Sequence, residues 1–402
     1  MVAYSIKNNT RIAIKEESVE GTYQVPTSAT DYISPLADGV ALEPSKDLLE
    51  RNNLTNSIGK ARPRVGMKSV TVTLPCEAKA SDVEGDAPEY GLLMEGALGA
   101  VRTATTTVSD ASHTTTVIKL TSQANALKYN VGDTVLIKKA GAYHLSPVIS
   151  VDSTGSSPGD FSITLLKAMP VAAADGDSIA ALTTYLTANG GHPAISVTKF
   201  TTEAAASWVR ETAVGCKVNN LALSGFSTGQ LLSWSFGLEG LSFDRSVSST
   251  GLYTPDFDES LPPIALSACV HIDGTQIDVN NLSFSVDNTL GFVMSTCNAN
   301  GKISARITQR AITGSFDPYK TDTEVANYTR FNDNTQFSLF AYAFNPTGTA
   351  GQFNQTVSFY MPNCIITSIS EGDQDGILQD SLSFSATRGT DGTSEELYIS
   401  FS

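Results

Sequence analysis

The sequence predicts a mainly β protein, and two observations carry the prediction. Most apolar stretches alternate with small polar residues at every second position, and long helical periodicity is almost absent. The 402 residues are 41% hydrophobic and 17% charged, which is apolar enough to bury a core. The longest apolar stretches fall far short of the roughly 20 residues that cross a bilayer. We therefore expect a soluble protein without a signal peptide, lipid anchor or membrane contact.

Eleven segments outside one inserted region have the alternation of strands. The pattern is clear at Leu232, Trp234 and Phe236, which share one face because side chains of a strand point alternately to its two sides. The predicted strands are 68–76, 194–200, 217–224, 230–239, 275–286, 302–309, 336–344, 355–361, 365–370, 377–387 and 397–401.

Two short helices interrupt this pattern. The first is predicted over 86–99, because Asp86, Pro88 and Glu89 form a helix start signal and Gly99 a stop signal. The second is predicted from a capping box at 321–324 to Phe331. Each helix is expected to lay an apolar stripe on a sheet.

The same pieces recur in the same order, which indicates two diverged copies of one β-rich unit. Cys216 lies 148 residues before Cys364, and Phe236 lies 148 residues before Phe384. The constant offset predicts that the two hairpins have the same register. The first unit is predicted to comprise 1–103 and 191–264, and the second 265–402.

An inserted module is predicted inside the first unit. Lys68 lies 234 residues before Lys302, so the first copy contains about 86 residues that the second lacks. Composition places them at 104–190, a segment rich in Thr, Ser and Ala, and a small β-barrel that projects outward is expected there. Its predicted strands are 115–120, 134–138, 148–152, 162–166 and 179–183.

Charge and cysteine content exclude several classes of protein. The net charge is −15, which argues against a surface that clamps nucleic acid through Lys and Arg. The five cysteines are scattered, are odd in number and never form a C-x-x-C pair. We expect buried or half-buried free thiols in a reducing cytoplasm, and neither a disulfide framework nor a zinc site.

The sequence contains no recognisable catalytic or metal-binding constellation. The four histidines have no ligand spacing, and nucleotide-binding and nucleophile motifs are absent. The stretch 373–376 begins like a calcium loop but lacks the Glu at the twelfth position, and the acidic run 256–259 is interpreted as a solvated turn. We expect no enzyme, no catalytic residue, no metal and no cofactor.

Three predicted strands present a small, neutral to acidic face that is poor in cations. This face could be an ordinary solvent-facing sheet, or it could be a smooth wall along which a polyanion moves without being bound. Its candidate residues are Ser233, Ser235, Glu239, Ser283, Ser285, Asp287, Ser381, Ser383 and Ser385.

The sequence resembles the major tail tube proteins of long, non-contractile (siphovirus-type) phage tails. The resemblance lies in the segments 20–27, 49–54, 86–99, 215–221 and 362–364 and in the order of the elements, and it covers nearly the whole chain except the inserted module. It implies a β-sandwich-like barrel with a flanking helix, and subunits that pair strands into a closed ring around a DNA-conducting lumen. The Ser-rich faces would then line the lumen.

The resemblance also implies partners and a location. Rings of the family commonly contain six units, so two units per chain predict a trimeric ring with pseudo-sixfold symmetry, and a hexamer is the alternative. Stacked rings would contact tail tip and tail terminator proteins, with the tape measure protein and genomic DNA in the lumen and not specifically bound. The protein would be made in the host bacterial cytoplasm and reside in the virion tail.

Two further consequences concern the module and the proline-containing segments. The module would decorate the outside of the tube, and tubes are expected to form without 104–190. The segments 21–60 and 245–264 are long and lack clean alternation, and such loops are usually functional. They are predicted to reach neighbouring chains or the next ring.

Other classes of protein remain compatible with a β-rich acidic chain. A secreted or virion-surface adhesin, a receptor-binding protein or a decoration protein would share these properties. An adhesin would favour an export signal or an exposed aromatic platform, and Trp208 and Trp234 both lie in predicted strands. A β-rich hydrolase would need a nucleophile or metal cluster that the sequence does not display.

Overall fold

A computed structural model describes residues 9–54, 58–110, 112–139, 142–155, 157, 159–204, 207–248, 252–266, 268–321, 325–345, 355–389 and 395–402. The secondary structure of the described chain consists mainly of antiparallel strands, in one large sheet system and one smaller sheet. The predicted mainly β fold is therefore confirmed.

The strands are numbered in chain order. The first five are β1 Thr10–Glu16, β2 Tyr32–Ile33, β3 Ala41–Leu49, β4 Arg64–Glu77 and β5 Gly99–Arg102. The smaller sheet contains β6 Thr105–Val108, β7 Val117–Lys119, β8 Thr134–Lys139, β9 Ala142–Asp152, β10 Ser162–Leu165 and β11 Ser178–Ala181. Next come β12 Thr183–Thr187, β13 Ile195–Ala204, β14 Ser207–Ser227, β15 Ser233–Gly240, β16 Ser242–Ser248, β17 Ala268–Ile272 and β18 Thr275–Ile277. The last are β19 Val279–Met294, β20 Lys302–Pro318, β21 Phe337–Ala343, β22 Val357–Gln374, β23 Ile377–Ala386 and β24 Tyr398–Phe401.

Both predicted helices form. Helix α1 (Gly91–Leu98) begins later than the predicted start at Asp86. It ends where predicted, at Gly99, whose φ of 103° is the left-handed conformation that suits a glycine at a helix end. The short helix α2 (Gln123–Ala126) was not predicted, and neither was a single 3-10 turn at Ala29–Asp31. Helix α3 (Val325–Asp333) corresponds to the second predicted helix, while residues 322–324 of its expected capping box lie outside the described residues.

Eight strands form what we call the central sheet. Their order is β3–β4–β15–β14–β19–β20–β23–β22, with every neighbouring pair antiparallel. The first four strands precede residue 241 and the last four follow residue 278, and the two halves have the same connectivity. The ladder between β14 and β19 joins them into one sheet.

A second layer, which we call the outer sheets, covers the central sheet. One outer sheet has the order β2–β1–β13–β14–β16, and the other has the order β18–β17–β21–β22–β24–β12–β5. Strands β14 and β22 are long enough to belong to both layers. Cys216 opposes Ile195 and Cys364 opposes Phe337, each beside a register shift. These matching irregularities are the strongest structural sign of a repeat.

The predicted common register of the two hairpins is wrong. Ser235 pairs with Ala222, whereas Ser383 pairs with Ser368. Between the corresponding pairs Asn220–Gly237 and Ser368–Ser383, the second hairpin is two residues shorter, and it closes through a tight turn in which Asp375 has a φ of 52° and Gly376 of 85°. A constant offset along the sequence therefore did not preserve the pairing across strands.

One apolar core lies between the layers and draws on both halves of the chain. Trp234 of β15 is fully buried, with its ring centroid 6.0 Å from that of Phe284 and 6.4 Å from that of Phe359. Phe284 lies on β19 and Phe359 on β22. The two halves thus share their largest core contacts.

The smaller sheet is the inserted module. Its strand order β6–β11–β8–β9–β10–β7 closes through a bridge between Ser109 and Leu120, and it has its own apolar core. The module also contacts the outer sheet, where Leu136 and Leu145 pack with Phe340 and Tyr360. Strand β12, inside the expected 104–190 segment, belongs to the large sheet system. The three-part division of the chain remains a prediction.

A Ser-rich sheet face as the candidate functional site

All nine sequence-predicted site residues lie on one face of the central sheet. They belong to β15, β19 and β23, where buried and half-buried positions alternate. Asp287 is exposed and the others are half-buried. The alternation arises because Trp234, Phe284 and Phe384 on the opposite side face the core.

The strands between these three complete a continuous surface, which we call the serine face. One row across six strands reads Pro75, Ser235, Ala222, Ser285, Thr313 and Ser385. A second row reads Ser283, Ser315, Ser383 and Ser368. Small side chains at every step leave this face without protruding groups.

Hydrogen bonds within and between strands hold part of the serine face in place. The Ser283 and Ser315 hydroxyls lie 3.1 Å apart, and the Ser285 hydroxyl donates to Asp287 at 2.9 Å. The Asn220 side chain donates to the same carboxylate at 2.6 Å. These bonds fix the side chains against the sheet and use up hydrogen-bonding capacity that a ligand would otherwise engage.

The charge of the serine face is neutral to acidic. Glu239 and Asp287 contribute carboxylates, and Glu239 lies 3.6 Å from the Lys302 ammonium. Lys217 opposes Glu239 on β14 but is buried, and its ammonium donates to the His192 carbonyl at 2.6 Å. Burial lowers the pKa of Lys217. The cation that pairs with Glu239 across the β14–β15 ladder is therefore buried and is held by a backbone carbonyl.

Sequence reasoning predicted strands at 68–76, 217–224 and 302–309 but assigned none of their residues to this face. Thr313 and Ser315 lie on β20, which was predicted to end at 309 and continues to Pro318. Their signal was present, because Ile312, Gly314 and Phe316 alternate with them. Ala222 lies on β14, where a bulge beside Asn219 interrupts the alternation.

The other polar groups singled out in the sequence have structural roles. Asp258 is half-buried, and its side chain accepts a hydrogen bond from the Glu89 amide at 3.3 Å. Lys79 donates to the Asp258 carbonyl at 2.6 Å. Three of the four residues of the run 256–259 are exposed, as a solvated turn requires, while Asp258 fastens one proline-containing segment to its own chain.

The histidines are dispersed. His144 and His271 lie where the module meets the outer sheet, and burial lowers the pKa of each to about 4. His192 is half-buried beside α1 with its Nδ1 3.0 Å from the Gly96 carbonyl, and burial lowers its pKa. His113 accepts a hydrogen bond from the Lys119 amide at 3.0 Å. In the part of the chain that the structure describes, no three His, Cys, Asp or Glu side chains converge on a metal-sized site.

The cysteines are free thiols. Cys76, Cys216 and Cys364 are buried, which raises the pKa of each thiol. Cys269 is half-buried, and Cys297 is exposed at a hairpin tip, where a buried or half-buried thiol was expected. None of the described helices has the length and apolar character needed to span a membrane.

Comparison with known protein families gives a match over most of the chain. A search of curated proteins finds no match for the chain. A family model described as phage tail tube protein matches residues 7–386 of the 402. The match includes every strand of the central sheet, so the resemblance to tail tube proteins is confirmed, and so is residence in the virion. The chain belongs to the phage tail tube protein family.

Proposed function

We propose that this chain closes into rings that stack into the tail tube of a long, non-contractile phage tail, and that the serine face lines a lumen through which DNA passes. The observation that carries the proposal is the serine face itself, a continuous band of small side chains without a protruding cation. A polyanion would slide along such a wall because the wall offers no protruding cation to bind its phosphates. Membership in a structural family favours a non-enzymatic role.

The matching halves of the central sheet support a ring of three chains. Three chains would supply 24 strands. Strands about 4.8 Å apart and tilted by about 36° would then close into a barrel of about 23 Å radius. Barrels of 16 to 18 strands already leave an aqueous channel. A hexamer of single units per ring is the alternative arrangement that this repeat disfavours.

The remaining assignments follow from the ring. The module would decorate the outside of the tube, with three copies per ring. The tape measure protein and DNA would occupy the lumen without specific binding, and tail tip and terminator proteins would meet the ends of the tube. The segments 21–60 and 245–264 would contribute contacts between chains or rings, although residues 253–260 already bind their own chain through Tyr253 and Asp258.

Electron microscopy of the purified protein and of its tubes tests the proposal. We expect hollow stacked rings with three chains each, from end-on symmetry classes and an independent ring mass. Six chains per ring would keep the tube and contradict the two-unit interpretation. A chain that forms no rings under any tail-assembly condition would contradict the tube function.

Adding positive charge to the serine face should obstruct DNA passage. We expect Ser235→Lys with Ser383→Lys to leave tubes intact and to lower infectivity by at least about tenfold, because each Lys adds a phosphate contact. Phage titre and DNA release from assembled virions measure the effect. The control, Ala124→Lys with Val171→Lys, adds the same charges on the module, where Val171 is exposed. Equal titres for the two double variants would contradict the lumen assignment.

A further inference from the structure

The joint between the two halves of the chain has two parts. In the central sheet, β14 pairs with β19 from Asn220–Asp287 to Ser227–Asn281. Beyond this ladder, the β19–β20 hairpin continues to the end of α1. There Asn288 donates to the Ala97 carbonyl at 2.9 Å, and Arg310 donates to the Leu98 carbonyl at 3.3 Å. A strand edge and a helix C-terminus are thus covered together.

The corresponding elements at the two ends of the central sheet are uncovered. On its side away from β23, β22 has no strand partner from 365 to 374 among the described residues. Within the residues that the structure describes, strand β3 pairs only with β4. Ile369 on β22 is half-buried, whereas Leu221 in the same position on β14 is fully buried. The difference is the missing strand.

Helix α3 also lacks the cover that α1 has. Leu93, Met94, Ala97 and Leu98 of α1 are fully buried, whereas Val325 and Tyr328 of α3 are 66% and 63% exposed. The β3–β4 hairpin exposes apolar side chains of its own, with Leu49 58% and Val65 53% exposed. Helix α3 and the β3–β4 hairpin therefore both expose apolar side chains that an interface between chains would bury.

The ladders fix which residues correspond in the two halves. Asn220 is connected through Gly237 and Thr73 to Ala41. Ser368 is connected in the same way through Ser383 and Ser315 to Ser283. The offset from β3 and β4 to β19 and β20 is therefore 242 residues, and the sequence offset of 234 is corrected. By this correspondence the pair Lys46 and Lys68 matches the pair Asn288 and Arg310.

We infer that the β3–β4 hairpin of one chain binds the β22 edge and helix α3 of the next chain, in the arrangement that β19–β20 has on β14 and α1. The inference rests on the proposed ring and specifies its contacts. Glu43 would lie opposite Ser370 of the next chain, and Ser45 opposite Ser368. Pro44 supplies no N–H to either neighbour, which limits uncontrolled pairing of this edge.

Charge favours the same contact. Residues 46–68 contain six basic and two acidic residues, so this arm carries +4 and the rest of the chain −19. Lys46 and Lys68 would approach the C-terminus of α3, where the helix dipole favours cations. The acidic bodies of two chains repel each other, whereas the basic arm of one chain attracts the acidic body of the next.

The stagger of the central sheet is consistent with closure. The row through Asn220 reaches β19 at Asp287, whereas the row through Ser368 reaches it at Ser283. Each four-strand unit therefore shifts the register by four residues. A closed ring of such units has a shear equal to its number of strands. This equality gives a strand tilt of about 36°, as in eight-stranded barrels of shear 8, and this tilt lies within the usual range for closed barrels.

Disulfide cross-linking in assembled tubes tests the register. In a Cys297→Ser background, which removes the exposed thiol, we expect Glu43→Cys with Ser370→Cys to give covalent dimers and trimers on oxidation, because directly opposed strand residues meet disulfide geometry. Ala41→Cys with Ser368→Cys is the control. These positions would lie about 13 Å apart along the strands and should remain monomeric. Tubes that cross-link only the control pair would overturn the inference and leave the tube function intact.

A second variant tests the helix contact without altering the sheet. Tyr328→Glu with Val325→Glu changes exposed side chains, so we expect the folded monomer to keep its circular dichroism spectrum and unfolding midpoint. Sedimentable tubes should decrease about tenfold or more, because apolar anchors at an interface are replaced by charges. Leu127→Glu, an exposed position on the module, is the matched control. Normal tube yield from the double variant would overturn the helix contact, and failure of the unmodified chain to form tubes would instead contradict the proposed function.

Discussion

Trp234→Ala should lower the free energy of unfolding by about 3–5 kcal/mol, the usual cost of removing a large buried aromatic side chain. Trp234 is fully buried between Phe284 and Phe359, whose own ring centroids lie 5.3 Å apart. The substitution on β15 therefore opens a cavity against β19 and β22. We expect urea unfolding, followed by far-ultraviolet circular dichroism, to shift as a single transition across the β structure.

The second tryptophan provides a matched control. Trp208 is half-buried and meets Phe200 edge-on, with ring centroids 6.4 Å apart, at the margin of the outer sheet. Trp208→Ala should cost less, about 1–2 kcal/mol. Two separate transitions in the Trp234 variant, with only one of them shifted, would contradict a core shared by the two halves.

Deleting 104–190 with a short Gly-Ser bridge should prevent folding, whereas the sequence had led us to expect intact tubes. The deletion removes β12, which pairs with both β5 and β24. It also uncovers the aromatic cluster of Phe340, Tyr342, Tyr360 and Tyr398. If half of these four side chains became exposed, about 400 Å² of surface would cost about 10 kcal/mol, which is comparable to the stability of a whole domain.

A shorter deletion separates the two effects. Removing 105–181 and joining the ends with Asn-Gly keeps β12 in the outer sheet. The ends are already adjacent, since the Ala104 amide donates to the Thr183 hydroxyl at 3.2 Å. We expect this variant to be more soluble than the longer deletion and less stable than the intact chain. Expression yield and thermal unfolding measure both, and a 104–190 deletion with the intact chain's midpoint would contradict the role of β12.

The buried polar groups under the module explain why its contact with the sheet is specific. Lys167 of the module donates to the Tyr342 hydroxyl at 3.0 Å, and His271 stacks on the Tyr342 ring with centroids 5.8 Å apart. Burial lowers the pKa of Lys167 and raises that of Tyr342. A module that merely projected from a loop would leave these groups in water, so this insertion is packed onto its host.

Local sequence patterns correctly predicted the features that depend only on residues close together in the sequence. Alternation in 230–239 and 377–387 correctly placed the serine face and its buried opposite side, because a strand's two faces are set by its own period of two. Gly99 correctly ended α1, because a left-handed helix end requires little beyond the residue itself. Strands β1, β2 and β3 were missed; β2 has only two residues, and β3 is an exposed edge containing Pro44.

The sequence by itself determined the strand faces, the end of α1, the family resemblance and the order of a repeated unit. The tertiary structure decided which edges meet: β14 with β19, β12 with β24, and the module with the aromatic face of the outer sheet. Pairing partners lie tens to hundreds of residues apart, and a difference of two residues in one hairpin changes the register across it. Periodicity in the sequence predicts whether a residue is buried or exposed. Which strand lies next to it is decided only when the chain folds.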